Sequence, residues 1–483
     1  MPKFVLLWTD AAIWLLVLAL VAYVWLASRR TNLRGTWRKV FADPAAMASA
    51  VVLVACLVVT LVDSVHFRSK LPPAPGTTAG VVAYDTRTRS LLDAALASLA
   101  ESRETTYSRP LAYESFTKET VEQGGRPSRV APRLLHGGAH LTDPAAQWGG
   151  DIARLVAVGV AWGVLGAAVA FIAVAAGVAR RQRSGLGTAA GTIWRGEIAL
   201  PWRVALATAA VLALAIGIAA SLARAYHVFG TDVTGNDVLY QTLKSIRTAF
   251  VIGSLATLAT LPLAVVLGIM AGYFKGWVDE VIQYVYTVLS SIPNILLIAA
   301  CVLMVQVFID KHPELFETGL ERADLKLFLL CAVLGLTGWA GLCRLLRAET
   351  LKLRELEYVQ AAQAFGVGAG RVMTRHVFPN VAHLMLIVTV LDFSSLILYE
   401  AVLSYVGVGV DPSMNSFGGM INLARNEMSR DPLVWWPFTA AFVFMVTLVL
   451  AANLFADGVR DAFDPRSRTF RPRVLKPAAA AKP

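Results

Sequence analysis

The sequence of 483 residues has little charge, since Asp, Glu, Lys and Arg make up 16% of it and hydrophobic residues 56%. Soluble domains carry about 25% charged residues. The composition therefore excludes an ordinary soluble protein and predicts an integral membrane protein. The net charge of +11 does not indicate nucleic-acid binding, because the basic residues gather beside apolar segments, as they do in membrane proteins.

Cysteines are also few, and the sequence contains no phosphate-binding loop. The four cysteines all lie in or beside apolar runs without a short metal-ligand spacing: Cys56, Cys301, Cys331 and Cys343. We expect them to be small packing residues and predict no disulfide framework. The pattern G-x-x-x-x-G-K-[ST] does not occur, which excludes P-loop nucleotide hydrolysis on this chain.

What the sequence has in abundance is apolar runs of about 20 residues, the length that crosses a bilayer. Nine such runs lie at approximately 9–28, 46–65, 152–178, 204–225, 248–273, 281–308, 326–345, 382–407 and 434–456. They predict an all-α polytopic membrane protein with about nine transmembrane helices. The first run is interpreted as a retained helix, because no convincing signal-peptide cleavage site follows it.

Clusters of Arg and Lys predict the orientation of these helices. They follow the first, third, seventh and ninth runs, within 29–39, 180–203, 344–375 and 460–473. All four clusters fall on one side if nine spans alternate. Cations favour the cytoplasmic side, so we expect the N-terminus outside and the C-terminus in the cytoplasm.

Residues 66–150 separate the second and third runs and are polar, which predicts a small external domain. Apolar residues at helical spacing predict a helix over 89–101. His136 and His140 lie in a glycine-containing loop. We interpret them as exposed loop residues and predict no metal site.

The external segment 227–247 carries Leu239, Leu243 and Ile246 at helical spacing. This pattern predicts an amphipathic helix at the membrane surface, and the alternative is an ordinary capped helix start. Asp232 or Asn236 is expected to cap its N-terminus.

A polar segment, EYVQAAQAFGVGAGRVMTRHVFPN (357–380), interrupts the apolar runs on the predicted cytoplasmic side. Residues 354–365 favour helix, Gly366 is expected to end it, and a second short helix is predicted over 371–377, before Pro379. The predicted helix has an apolar edge made by Leu356, Val359, Ala362 and Phe365. Two interpretations remain open: a helix that fills a groove on another protein, or a surface loop against lipid headgroups.

The same segment resembles the cytoplasmic loop of ATP-binding-cassette importer permeases. That loop has the pattern Glu-Ala-Ala, three residues, Gly, and a later Leu-Pro; this chain has Gln360-Ala361-Ala362, Gly366 and Phe378-Pro379, with Gln360 in place of the glutamate. Further motifs resemble the oligopeptide and dipeptide branch of these permeases. They are Gly230-Thr231-Asp232 with Gly235 and Asp237, and the stretches 271–279, 291–293, 403–409 and 459–465.

The resemblance covers about 227–466 and implies a type I importer permease core of six transmembrane helices, with a coupling helix near 354–378. The remaining predicted regions are 1–65 (two transmembrane helices), 66–150 (the external insertion domain), 151–226 (two transmembrane helices) and 467–483 (a cytoplasmic tail). Within the core, the resemblance assigns ATPase coupling to Glu357, Gln360, Ala361, Ala362, Gly366 and Pro379, and an external motif to Gly230, Asp232 and Asp237.

The resemblance also implies partners. They are a second permease subunit, usually a different chain, two cytoplasmic ATPase subunits, an extracytoplasmic solute-binding protein, and the lipids of a bacterial inner membrane. The chain itself is expected to be a transport subunit and not an enzyme. ATP and Mg are expected on the ATPase subunits, and no cofactor on this chain.

Two ionisable residues, Asp392 and Glu400, lie eight residues apart within the eighth predicted span. Charged groups inside a membrane are costly, so these two are candidate lining residues of a transport pathway. The alternative is a buried hydrogen-bonded pair that positions helices.

Two other functions are compatible with parts of the sequence. A membrane scaffold or sensor would use the external domain as a ligand-binding domain. An ion-coupled transporter would show inverted repeats, and we detect no convincing internal symmetry. The substrate, whether a peptide, a nickel complex or another solute, is not determined by the sequence.

Overall fold

The computed structural model describes residues 3–71, 84–123, 126–316 and 318–463. The predicted tail 467–483 lies outside them, as does part of the external domain. The first half of the described chain contains α1 (Trp8–Arg29), α2 (Thr31–Val40), α3 (Pro44–Asp63), α4 (Leu91–Ala95), α5 (Ala97–Glu101), α6 (Pro144–Gln182), α7 (Leu186–Arg195) and α8 (Trp202–Leu222).

The second half contains α9 (Val238–Phe274), α10 (Gly276–Ser291), α11 (Asn294–Lys311), α12 (Gly319–Gly338), α13 (Ala340–Arg354), α14 (Glu357–Ala364), α15 (Ala369–Val372), α16 (Phe378–Val406), α17 (Phe417–Arg425) and α18 (Trp436–Phe463). Short 3-10 turns occupy Pro313–Leu315 and Glu427–Ser429, and a π-helical turn, Met373–Val377, joins α15 to α16.

Among the described residues, eight helical stretches are long and apolar enough to cross a membrane: α1, α3, α6, α8, α9, α11, Ala369–Val406 and α18. A ninth span results if α12 and α13, bent by 41° at their junction, are counted as one. The chain is thus an all-α polytopic membrane protein.

The prediction of one uninterrupted helix over 281–308 is wrong. The structure divides this region into α10 and α11, with a break at Ile292 and Pro293. Proline has no backbone N–H and forces the preceding residue out of helical geometry. Ile292 accordingly has φ −88° and ψ 133°.

The surface helix predicted at 227–247 is also wrong, and the alternative, an ordinary capped helix start, is what the structure has. Asp237, rather than Asp232 or Asn236, caps α9, and its carboxylate accepts a hydrogen bond from the Tyr240 N–H at 2.9 Å. The first turns of α9 are an internal part of this long helix, with Leu239 and Ile246 buried. Helical spacing alone does not distinguish a helix at the surface from one whose polar residues find partners inside.

Those polar residues form ion pairs. Lys244 Nζ lies 2.7 Å from Asp63 Oδ1 and 2.8 Å from Asp93 Oδ1. Arg247 Nη2 lies 2.6 Å from Asp10 Oδ1, and both side chains are buried. Arg247 thereby connects α9 to α1, because a buried charge needs a partner.

Helix α9 lies at the centre of the helix bundle and packs against α3, α12, α13 and α16. Two glycines on one face of α9 allow α13 to approach closely. A Cβ on Gly268 would lie 2.9 Å from the Cys343 carbonyl oxygen, and one on Gly272 would lie 2.7 Å from that of Arg347. Small residues four apart permit such close helix packing in membranes.

Two small sheets include strands of the segment that is predicted to be external. Strand β1 (Lys3–Val5) pairs antiparallel with β2 (His66–Arg68), which pairs with β3 (Arg89–Ser90). A separate hairpin joins β4 (Glu119–Gln123) to β5 (Arg126–Val130). The helix predicted over 89–101 is present as α4 and α5, and a capping box at Ser90 begins α4.

Candidate functional site

The segment that follows α13 forms a short helix with a well-defined end. Helix α14 stops at Gly366, which has φ +75°. The Gly366 N–H donates to the Gln363 carbonyl at 2.9 Å, and the Val367 N–H donates to the Ala362 carbonyl at 3.0 Å. These two bonds are the Schellman motif, which needs a left-handed residue at this position.

Helix α14 has two distinct faces. On the inner face, Val359 is fully buried in a small cluster with Tyr273 and Val372, and Ala362 packs against that cluster. The outer face is made by exposed residues at helical spacing: Glu357, Gln360, Ala361, Ala364 and Phe365. Phe365 is 87% exposed. The predicted apolar edge is therefore divided, with Val359 and Ala362 inside and Leu356 and Phe365 outside.

Tyr273, near the end of α9, holds this segment in place. Its backbone carbonyl accepts a hydrogen bond from Arg354 Nη1 at 2.8 Å, and its hydroxyl accepts one from Gln363 Nε2 at 3.1 Å. The side chain is 8% exposed. On the other side of α14, Asn380 Nδ2 donates to the Tyr358 hydroxyl at 3.2 Å. The segment is thus attached to α9, α13 and α16.

The structure places the six predicted coupling residues in three different settings. Glu357, Gln360 and Ala361 share the exposed face, and Gln360 Nε2 donates to the Glu355 carbonyl at 3.3 Å. Ala362 is half-buried, and Gly366 forms the turn. Pro379 lies in the first turn of α16. The coupling roles of these residues stay predictions.

Sequence reasoning assigned no role to Tyr273, although the residue lies within one of the motifs noted, 271–279. Its part in the site depends on the burial of its ring against Val359, 86 residues later in the chain. No local pattern signals such a contact.

The predicted external motif lies against the external domain. Gly230 has φ +68°, and a Cβ there would lie 2.3 Å from the Ser108 carbonyl oxygen. The Gly235 carbonyl accepts a hydrogen bond from the Glu104 N–H at 3.0 Å. Glycines are needed here because the two backbones approach so closely.

Asp237 and His227 continue this contact. His227 Nδ1 lies 2.7 Å from Asp237 Oδ2, and His227 Nε2 lies 3.4 Å from Glu104 Oε1, all three side chains being buried. Burial lowers the pKa of His227, but hydrogen bonds to both carboxylates outweigh it and raise this pKa to about 9. An imidazolium between two carboxylates therefore joins Glu104, in the segment predicted to be external, to the N-terminus of α9.

Glu104 shows the complementary shift. Burial raises its pKa, whereas hydrogen bonds from His227 and from the backbone N–H groups of Leu135, His136 and Gly137 lower it to about 2. Neither Glu104 nor His227 was singled out from the sequence, in which they are 123 residues apart.

Asp232, the third residue of the external motif, organises a turn at the edge of a cavity. Its carboxylate accepts hydrogen bonds from the Thr234 N–H at 2.8 Å and from Gln241 Nε2 at 2.5 Å. The cavity has a volume of about 630 Å³. Another part of its wall carries the ion pair of Lys326 with Asp411, at 3.0 Å.

The structure does not bring Asp392 and Glu400 together. Glu400 is buried and accepts a hydrogen bond from the Ser404 hydroxyl at 2.6 Å, and Ser404 lines the cavity. Asp392 is half-buried and makes no hydrogen bond or ion pair with the part of the chain that the structure describes. The alternative of a mutual pair is wrong, and a role in the pathway stays a prediction.

The histidines of the external loop do not meet. His140 Nε2 lies 2.9 Å from Asp151 Oδ2, whereas the backbone N–H of His136 donates to Glu104. In the described ranges, no three His, Cys, Asp or Glu residues are grouped as metal ligands. All four cysteines are free.

These features define a class of protein. A bundle of membrane helices with a cavity of mixed polar and apolar lining, and an exposed short helix held by contacts to α9, α13 and α16, is consistent with a membrane transport subunit.

Comparisons with known proteins specify the class. Residues 264–469 match the family described as "Binding-protein-dependent transport system inner membrane component". The chain is 32% identical to the oligopeptide transport system permease protein OppC of Mycobacterium tuberculosis over 51% of this chain and 78% of that protein. Identity to OppC of Haemophilus influenzae is 30%, over 52% and 74%. Identity to the dipeptide transport system permease protein DppC of Lactococcus lactis is also 30%, over 50% and 64%.

The chain therefore belongs to the permeases of ATP-binding-cassette importers, in the oligopeptide and dipeptide branch. As a permease it is a transport subunit and not an enzyme, and the ATPase of such an importer is on separate subunits. Among solved structures, an inward-facing MetNI methionine ABC transporter matches with a TM-score of 0.35 and 17% identity, over 47% of this chain and 96% of that chain.

Proposed function

We propose that this chain is the permease subunit of an ATP-driven, binding-protein-dependent peptide importer, and that the exposed face of α14 docks into a cleft of a cytoplasmic ATPase. A second permease chain completes the pathway. The observation that carries the proposal is the division of α14 into two faces. Val359 is buried, while small residues, Ala361 and Ala364, lie at the centre of an exposed stripe that ends at Phe365. A stripe of this kind suits a groove on another protein.

For coupling, this proposal requires that the short helix α14 moves together with the membrane helices. Tyr273 connects α14 to α9, and α13 packs closely on α9 through Gly268 and Gly272. A displacement of α14 by the ATPase is thereby transmitted to the helices that line the pathway. ATP and Mg²⁺ are bound by the ATPase subunits in this proposal, and the chain contributes only the mechanical connection.

The orientation follows from the same docking. With α14 in the cytoplasm of a bacterial cell, the external domain and the cavity beside Asp232 lie outside the inner membrane, where a solute-binding protein delivers its substrate. The pairing of β1 with β2 supports an N-terminus on that external side. The packing of Val459 in α18 with Leu386 in α16 supports a cytoplasmic end for α18.

Peptides are the proposed substrates because the relatives in this branch carry oligopeptides and dipeptides by name. The cavity also presents groups that suit the two ends of a peptide. Lys326 suits the C-terminal carboxylate, and Asp232 suits the N-terminal amine. Asp392 and Glu400 are proposed to line the pathway further along, Glu400 being connected to the cavity through Ser404.

The external domain is proposed to support the permease rather than to act as a separate sensor. Its Glu104 is joined to the permease motif through His227 and Asp237 in a buried contact. A domain held in this way is positioned to guide the binding protein.

A substitution on the exposed face of α14 tests the docking. Ala361→Arg places a bulky charge on the proposed interface without disturbing Val359, so we expect the chain to insert normally but to lose co-purifying Walker-motif ATPases. Ala45→Arg, an exposed position at the start of α3, is the matched control. Equal recovery of the ATPases with both variants would contradict the docking. Uptake of labelled peptides, nickel complexes and sugars by the reconstituted importer would then test the substrate class.

A further inference from the structure

A cleft of about 1090 Å³ lies at the same end of the protein as α14 and has no part in the proposed coupling. It separates α2 and the start of α3 from the end of α6 and the loop before α8. Its position is fixed by Trp37 and Val40 of α2, which pack against Val459 of α18 and Leu386 of α16.

Three arginines line this cleft. Arg34 and Arg38 are one helical turn apart on α2, and Arg181 comes from the end of α6. All three are exposed, and none forms an ion pair or a side-chain hydrogen bond with any residue that the structure describes. Glu197 is the one carboxylate among the lining residues, so the cleft carries an excess of positive charge.

The remaining wall is largely apolar. It includes Trp37, Phe41, Met47, Val178, Leu200 and Trp202. Trp37 and Phe41 come from α2 and the turn after it, and the others lie at or beside the ends of the membrane helices α3, α6 and α8, where we expect the lipid headgroups. The cleft therefore combines cations at the headgroup level with an adjoining apolar surface.

We propose that this cleft binds an anionic phospholipid, with the phosphodiester beside Arg34, Arg38 and Arg181 and the acyl chains along the apolar wall. The charge of the cleft selects this occupant. Basic pockets between membrane helices on the cytoplasmic side recognise anionic headgroups in this manner. An uncharged or purely apolar partner would leave three arginines without counter-charges.

The bound lipid would connect two parts of the protein that otherwise face each other across a gap. One is the hairpin of α6 and α8, whose helices pack closely on each other at Gly159, Gly163 and Gly217. The other is α2, which packs on the base of α16. This inference rests on the orientation given under the proposed function, but its test does not require α14 to bind an ATPase.

The test uses the full chain in a mild detergent and native mass spectrometry. We expect dioleoyl phosphatidylglycerol to bind at least about tenfold more tightly than dioleoyl phosphatidylcholine. A triple variant, Arg34→Gln with Arg38→Gln and Arg181→Gln, should lose at least about tenfold in affinity for phosphatidylglycerol.

A matched triple variant removes the same charge from the same region outside the cleft: Lys39→Gln, Arg180→Gln and Arg195→Gln. It should retain the wild-type affinity. Equal losses in both triple variants would overturn the proposal, because they would indicate non-specific attraction. Glycerol 3-phosphate binding as tightly as the lipid would also overturn it, in favour of a site for free phosphate esters. The single variants Arg34→Gln and Arg181→Gln, each with a smaller loss, exclude misfolding as the cause.

Discussion

Truncation of Tyr273 is the most informative perturbation of the coupling segment. Tyr273 is the largest of the three buried residues in the cluster that joins α14 to α9, the others being Val359 and Val372. Removing a buried aromatic side chain costs roughly 3–5 kcal/mol. The hydroxyl contributes only the hydrogen bond from Gln363, worth about 1 kcal/mol.

Tyr273→Ala should therefore loosen α14 from α9, whereas Tyr273→Phe should leave it seated. Consider two states, one with α14 packed on α9 and one with α14 detached from it. A loss of roughly 3 kcal/mol lowers the ratio of the packed to the detached state by about two orders of magnitude, since each 1.4 kcal/mol is a factor of ten. The cluster has few other buried contacts to compensate. The remainder of α9 is packed against α13 and α16 and should still insert.

The assay measures peptide uptake and ATP hydrolysis by the importer reconstituted in liposomes. We expect Tyr273→Ala to lower uptake at least tenfold while hydrolysis continues, and Tyr273→Phe to stay within about fivefold of the wild type. Trp277→Ala, which removes an aromatic ring that is 75% exposed on the next helix, is the control. Coupled uptake that survives Tyr273→Ala, or equal losses with alanine and phenylalanine, would refute the role of this ring.

Three further predictions concern the turn after α14 and the external contact. Gly366→Pro should uncouple ATP hydrolysis from uptake, because φ +75° is inaccessible to proline, whereas Gly368→Pro, at φ −59°, should be tolerated in the same assay. Gly235→Ala should detach the external domain and expose it to limited proteolysis, since its Cβ would lie 1.8 Å from the Glu104 carbonyl oxygen; an unchanged digestion pattern would contradict this. The contribution of His227 to stability should be complete below pH 6.5 and lost as the pH rises through about 9, and that of Glu104 should be complete above pH 4.5 and lost as the pH falls towards about 2. Thermal melting across pH should show both losses, and Glu104→Gln should weaken them.

Local signals in the sequence predicted the features that depend on local chemistry. The apolar runs predicted an integral membrane protein. Gly366 predicted the end of α14, because a Schellman motif requires a residue in the left-handed conformation. The break before α11 was missed although Pro293 marks it, since the apolar residues on both sides read as one continuous run. A proline before a helix is a local signal, and it outweighs hydropathy here.

The contacts that assemble the sites could not be predicted in this way. The carboxylates that neutralise Arg247 come from α1 and α12, and Glu104 reaches His227 from a different region of the chain. A single sequence shows that a charged residue needs a partner but does not identify it. The packing of α14 on Tyr273 is likewise a tertiary contact between segments that are not neighbours in sequence.

The docking of α14 into an ATPase is tested most directly by photo-crosslinking. Benzoylphenylalanine at position 365 replaces the exposed Phe365 with a ring of similar character and leaves the buried face unchanged. The same group at Leu186, an exposed residue of α7 on the proposed cytoplasmic side, is the control. We predict crosslinks to the ATPase subunit from position 365 and none from position 186. Absence of an ATPase crosslink from position 365 in an importer that transports peptides would contradict the docking of α14.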